Sequence, residues 1–230
     1  MLVYGKNVIK EAILNQRPIF NLYLDEKFAD HKYLAFLQQH QIKIQYLSKG
    51  KLNDLTNQAL HQGVVANVKD YEFKTLESVL DLNKNQRFLI LDELQDPHNL
   101  GAILRSAEAT NIDGVIISNK NQVQLTATVA KTSAGAIEHV NVIAVSNIHQ
   151  TILKLKKNNV LIIGTDMKGT TPFNEINHQQ SLAIVLGNEG FGIRPLIKNN
   201  CDVLVSIPMK GKVNSLNVSV VAGLMLYAIL

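Results

Sequence analysis

Apolar and polar positions along this chain change their rhythm near residue 86. Before that point the elements are short and amphipathic. Val8, Ile9, Ala12 and Ile13 recur at helical spacing, with Lys10 and Glu11 on the other side, and predict a first helix. Residues 20–24 are strand-like, and Tyr33, Leu34, Phe36 and Leu37 mark a second helix. Ile42, Ile44 and Tyr46 alternate with polar residues, as in a half-buried strand. Leu52 and Leu55 suggest a third helix, and residues 61–68 a strand opened by Gly63. Residues 69–85 are mostly polar, with one short helix signal at Leu76, Val79 and Leu80. They read as a connector, which places a domain boundary between about 70 and 86.

From Arg87 strands alternate with helices. Strands are expected over 88–91, 114–117, 140–145, 160–164, 182–186 and 203–207. Helices are expected over 99–110, 125–133, 148–157, 193–199 and 216–230. The strands are continuous apolar runs rather than alternating ones, the pattern of a parallel sheet covered on both faces. Two domains follow: a small α/β domain over 1–70 and an α/β domain over 86–230, joined by a linker over 71–85.

Composition narrows the class. Of 230 residues, 46% are hydrophobic and 18% charged, enough apolar material for a sizeable core and too little charge for a disordered chain. The net charge of +4 divides evenly, +2 before residue 86 and +2 after it, so the chain tolerates a polyanion without a basic tail. The single cysteine, Cys201, excludes an internal disulfide and a cysteine-based metal cluster, and fits a reducing cytosol. The start lacks the apolar core of a signal peptide, and the last helix is too short to span a bilayer. A cytoplasmic protein without membrane or metal is expected. Only four of the 23 basic residues are arginine, so an Arg inside a motif draws attention.

Ligands of open α/β sheets bind beyond the carboxyl ends of the strands, and three strand exits here carry unusual loops. The first runs from Leu91 through Asp96-Pro-His-Asn99 into a helix whose Leu100, Ile103, Leu104 and Ala107 form a buried stripe. Arg105 lies off that stripe; it either pairs with Glu108 or Glu93, or offers its fork of donors to a phosphate. The second, Leu186-Gly-Asn-Glu-Gly-Phe-Gly192, packs three glycines around Glu189 but is neither a dinucleotide fingerprint nor a phosphate loop. The third spans 205–219. Pro208 ends a strand, Gly211 marks a loop, and Asn214 and Ser215 stand where a helix N-cap is expected, leaving backbone N–H groups free for a polar ligand. A nicotinamide-dependent enzyme would need a glycine-rich loop after the first strand of this unit, and residues 92–99 contain no glycine.

Together the three loops resemble the three motifs of the SpoU/TrmH family of RNA ribose 2′-O-methyltransferases: Asp96-Pro-His-Asn99 with Arg105, then Ile184 to Gly190, then Ile207-Pro-Met209 with Asn214 to Ser219. Val3-Tyr-Gly5, Val8, Glu11-Ala12 and His61-Gln-Gly-Val64 resemble the small L7Ae-like substrate-binding domain of the RlmB-like branch. The resemblance implies a trefoil-knotted parallel-sheet (SPOUT) α/β methyltransferase domain preceded by that small domain. It implies a homodimer and S-adenosylmethionine (SAM) as cofactor. Gly187, Ile207 and Leu216, joined by Leu186, Met209 and Thr165, would contact SAM; Asn99, Arg105, Glu189, Ser215 and Asn217 would line the catalytic pocket. The implied substrate is structured RNA, a guanosine of 23S rRNA in the first instance. A tRNA ribose methyltransferase and a non-catalytic RNA-binding protein of the same fold remain the alternatives. Asn111 stands where the family often has a helix-ending Gly, and Asn is the next-best residue for a left-handed position.

Overall fold

The computed structural model describes residues 1–230. In chain order the first half comprises β1 (Leu2–Tyr4), α1 (Lys6–Leu14), β2 (Ile19–Asp25), α2 (His31–Gln39), β3 (Ile44–Leu47), α3 (Lys49–Leu55), β4 (Val64–Val68), α4 (Leu76–Val79), β5 (Arg87–Leu91) and α5 (Pro97–Ala109). The second half comprises β6 (Gly114–Ser118), α6 (Ala127–Thr132), β7 (Val142–Val145), α7 (Ile148–Lys157), β8 (Leu161–Thr165), β9 (Thr171–Pro172), β10 (Leu182–Leu186), α8 (Pro195–Lys198), β11 (Val203–Ser206) and α9 (Val218–Ala228). These elements belong to two units, Met1–Glu72 with Leu125–His139, and Phe73–Gln124 with Val140–Leu230.

The first unit has a four-stranded sheet in the order β1-β4-β2-β3, antiparallel except for the β2–β3 pair. β4 is interior, and its Val64, Val65 and Ala66 are fully buried, which is why that stretch reads as a continuous apolar run. The predicted face of α1 is the one that packs: Val8, Ile9, Ala12 and Ile13 are all buried. The α6 segment joins this unit although 52 residues (73–124) separate it from the rest in sequence, and it packs on β1 and α1. A buried ion pair fastens it, with Arg17 Nη1 donating to Glu138 Oε1 at 2.8 Å. The Tyr71 hydroxyl donates to the same oxygen at 2.9 Å, and the Arg17 guanidinium lies 3.3 Å from the centre of the Tyr71 ring.

The second unit is built on a seven-stranded sheet in the order β7-β6-β5-β10-β8-β11-β9, parallel throughout. β5 and β10 lie at its centre, with Phe88–Leu91 and Leu182–Leu186 buried. Phe88, Ile90, Ile116, Ile152, Ile162 and Val185 belong to one core cluster. Because β10 enters between β5 and β8, the chain leaves one half of the sheet and comes back beside it. In a parallel sheet every carboxyl end falls on one edge, so the loops after β5, β8, β10 and β11 are brought to one place. Two expectations shift. The last helix begins at Val218, not 216, with Asn217 as its N-cap; Asn217 is extended and accepts from the Ser219 N–H at 2.8 Å. Asn214 and Ser215 therefore stay in the loop rather than capping the helix.

Candidate active site

The loop after β5 is held at its start by Asp92, whose carboxylate is fully buried. Arg194, just ahead of α8, donates to it from its backbone N–H at 3.0 Å, from Nε at 3.0 Å and from Nη2 at 2.5 Å. Arg194 Nη1 also reaches Glu93 at 2.8 Å. Its hydrogen bonds to the Asp92 carboxylate raise the pKa of Arg194 further above its ordinary value. Asp96 then caps α5, accepting from the His98 N–H at 2.8 Å, and Pro97 occupies the first turn, where its missing N–H costs nothing. This start places Asn99 on the inner side of the helix, almost wholly buried.

The loop after β10 closes on itself. Asn188 and Gly192 exchange backbone hydrogen bonds, each 3.0 Å. Asn188 accepts from the Gly190 N–H at 2.8 Å and donates to the Glu93 carbonyl at 2.8 Å, tying this loop to the one after β5. A Cβ on Gly187 would stand 2.0 Å from the Gly192 carbonyl carbon, so no other residue fits there without moving the loop.

Three of the predicted catalytic residues meet in one chain of hydrogen bonds. Asn99 Nδ2 donates to Glu189 Oε1 at 3.1 Å, and Asn217 Nδ2 donates to Asn99 Oδ1 at 2.9 Å. The Asn217 amide oxygen is taken by the Ser219 N–H and hydroxyl. The three residues come from the three strand exits, and Asn99 bridges the other two. Ser215 and Asn217 face a cavity of about 680 Å³ together with Thr165, Leu186, Gly187 and Glu189. A smaller cavity of about 140 Å³ adjoins it and shares Thr165, Ser215 and Leu216; Ile207 and Met209 supply further apolar wall. All six predicted cofactor residues thus line these two cavities. Asp166, on the shared wall, is held below its ordinary pKa by Lys198, 2.5 Å away, which also lines the larger cavity.

Arg105 is not drawn into this cluster. It is exposed on α5, six residues beyond Asn99, has no hydrogen-bond or ion-pair partner within the chain, and lines neither cavity. Nor does it pair with Glu93, whose partner is Arg194. Asp92, Asn188 and Arg194 are site residues that the sequence reading passed over. A lone carboxylate directly after a buried apolar run must find a partner, and Arg194 is one of only four arginines; together these were the available signal.

The model of the SpoU rRNA methylase family matches residues 86–227, and that of RNA 2′-O ribose methyltransferase substrate-binding domains matches residues 2–74. The chain belongs to the SpoU rRNA methylase family. A Staphylococcus aureus (strain COL) protein named for the TrmH family of tRNA/rRNA methyltransferases is 43% identical over 99% of this chain and 94% of its own length. Among solved structures, the SpoU methyltransferase AviRb of Streptomyces viridochromogenes, crystallised with AdoMet, superposes with a TM-score of 0.83 at 22% identity, covering 100% of this chain and 88% of AviRb. A structure described as an RNA 2′-O ribose methyltransferase gives 0.79 at 24% identity, over 100% and 87%. The architecture is therefore the trefoil-knotted SpoU methyltransferase fold behind a small N-terminal α/β domain, and the chain is a SpoU/TrmH-family RNA methyltransferase. No helix is long and apolar enough to cross a membrane.

Proposed function

We propose that this SpoU-family chain transfers a methyl group from SAM to a ribose 2′-hydroxyl of structured RNA, a guanosine of 23S rRNA in the first instance. The observation that carries the reading is the Glu189–Asn99–Asn217 chain standing at two adjoining cavities that together are lined by all six predicted cofactor residues. The cavities fit the cofactor. The smaller one is lined by Val205, Ile207, Leu216 and Val221, which suits a flat apolar ring, and the larger one adds the polar side chains of Thr165, Ser215 and Asn217 for the rest of the cofactor. The matching substrate-binding model and the relatives named for tRNA/rRNA methylation support RNA as the acceptor. A tRNA ribose acceptor is the second reading.

The cofactor supplies an electrophilic methyl on a sulfonium sulfur. The residues of the chain must bring the ribose oxygen into line with it, and alignment of two bound reactants supplies up to about 7–11 kcal/mol of barrier lowering. Glu189 is engaged by Asn99, which suits it to holding the loop rather than to taking the proton. A guanidinium is a fork of donors rather than a base, so the role of Arg105 is to bind the RNA phosphate and stabilise the developing alkoxide, while the proton leaves through phosphate or water. Because Arg105 stands outside the cavity of its own chain, we place the working site at the contact of two copies in a cytoplasmic homodimer.

The test measures SAM binding by calorimetry and transfer of labelled methyl groups to 23S rRNA and to tRNA, with the modified position mapped. Arg105→Ala is expected to abolish transfer and leave SAM affinity unchanged. Near-normal turnover of that variant would overturn the role of Arg105. Absence of transfer to any RNA by the unaltered chain would favour a non-catalytic RNA-binding protein.

A further inference from the structure

The first unit contains a cleft of about 650 Å³ that is separate from the cofactor cavities. One wall is the turn after β2, with Lys27 and Phe28; the other is the loop from Gln58 to Gly63, and Lys49 stands at the start of α3. The second wall is built rather than slack. Asn57, Gln58, Gln62 and Gly63 are all left-handed, with φ between 51° and 78°. His61 braces the loop, accepting from the Gly63 N–H at Nδ1 (3.0 Å) and donating from Nε2 to Asn53 Oδ1 (2.9 Å). The Phe28 ring lies so close to Gly63 that a Cβ there would stand 2.9 Å from its edge.

The charges within the cleft are unequally satisfied. Lys6 is paired with Asp30 at 2.7 Å, and Asp25 accepts from the Lys27 N–H at 2.9 Å. The ammonium groups of Lys27 and Lys49 are exposed and form no ion pair within the chain. Leu60, at the rim, is 77% exposed, the largest exposure of any large apolar side chain here, and the amide of Gln58 is exposed without a partner. Two free cations, an apolar wall and an unused amide suit a ligand with a phosphate, a flat ring and a hydrogen-bonding edge.

We propose that this cleft takes one unstacked nucleotide of single-stranded RNA. Its flanking phosphates sit on Lys27 and Lys49, its base rests between Phe28 and Leu60, and Gln58 contacts the base edge. Splayed-out bases are how proteins read RNA sequence, since the major groove of an RNA duplex is closed to side chains. The inference rests on the RNA-methylation reading and assigns to the first unit the contact that selects the substrate.

The probe is a fluorescein-labelled single-stranded RNA 12-mer of mixed sequence, titrated against the full chain at several salt concentrations. Lys27→Glu with Lys49→Glu should weaken binding about tenfold or more and lower the magnitude of the log–log salt slope by about 1.4, at about 0.7 per single-strand phosphate. Leu60→Ala should weaken binding several-fold with the slope unchanged, and at 77% exposure it does not endanger folding. The charge-reversed pair Lys10→Glu with Lys43→Glu, exposed and outside the cleft, should cost less than the cleft pair. A 12-base-pair duplex and free GMP should compete poorly. Equal losses in the cleft and control pairs, or an unchanged slope in the cleft pair, would overturn the proposal. Displacement by GMP at concentrations near those of the 12-mer would instead make the cleft a mononucleotide site, and also overturns it. SAM affinity is measured on every variant. If the unaltered chain transfers no methyl group while the cleft variants still lose RNA, the catalytic reading fails and the cleft stands.

Discussion

Arg194 sets the spacing on which the Asn99–Glu189 contact depends. It is the one side chain that grips both Asp92 and Glu93, and the Glu93 carbonyl in turn receives Asn188 from the loop that carries Glu189. Removing its side chain leaves a fully buried carboxylate with a backbone N–H but no counter-charge, a change that costs on the order of 3–5 kcal/mol when a buried pair is broken. Arg194→Met should therefore lower the melting temperature and weaken SAM binding at least several-fold, because the two loops lose their common anchor. Arg194→Lys should fall between, since an ammonium restores the charge but not the two-pronged grip. Differential scanning fluorimetry and calorimetry check both; equal SAM affinity in all three proteins would show that the loops keep their spacing without the clamp. Asn217 carries a comparable double load: one end of its amide caps α9 and the other holds Asn99.

Among the elements, the loop between α3 and β4 has a built-in response to acid. Burial lowers the pKa of His61; Asp25 opposes that shift, while Lys49 and Lys131 reinforce it. The ring must stay neutral, because Nδ1 accepts a hydrogen bond from Gly63. The unfolded chain then binds more protons than the native one below about pH 6.5, so this contribution is complete above that value and is lost as the pH falls toward the lower native pKa. Between pH 7.5 and 5.5 the unaltered protein should lose more thermal stability than His61→Gln does; parallel melting curves would refute the idea. Element by element, the sequence was most legible where burial is uniform. The runs at 182–186 and 148–157 match β10 and α7. β1 and β9 span only three and two residues, too short for any period to register. The helix at 125–133 was visible, but Val129 and Ala130 are buried against the first unit, a destination that local pattern does not encode. In the site, the three strand exits were legible because each breaks a continuous apolar run. The Asn99–Glu189 contact, 90 residues apart in sequence, follows only from the insertion of β10 beside β5.

At the scale of the whole molecule, α9 has more apolar surface than one chain uses. Ala222, Met225 and Leu226 point inward, while Val220, Leu224 and Tyr227 are exposed at 49%, 37% and 61%. That second stripe, at spacings of four and three, is the surface expected to meet a second copy. Light scattering after size exclusion should give twice the 25.5 kDa chain mass for the unaltered protein and a single chain for Leu224→Asp with Tyr227→Asp. Methyl transfer should fall with the dimer. A variant that stays dimeric would move the interface elsewhere.

The ion pair of Arg17 with Glu138 has a practical corollary. Residues 125–139 belong to the first unit but are covalently part of the chain that follows it, so the backbone passes between the units three times. Trypsin acting at the exposed Lys84 would leave two pieces, and α6 would still be seated against β1 and α1 in the amino-terminal one. The pieces should co-elute until denatured. Expressing residues 1–72 alone would yield a fragment stripped of one wall, with Arg17 left without its counter-charge, rather than a portable module.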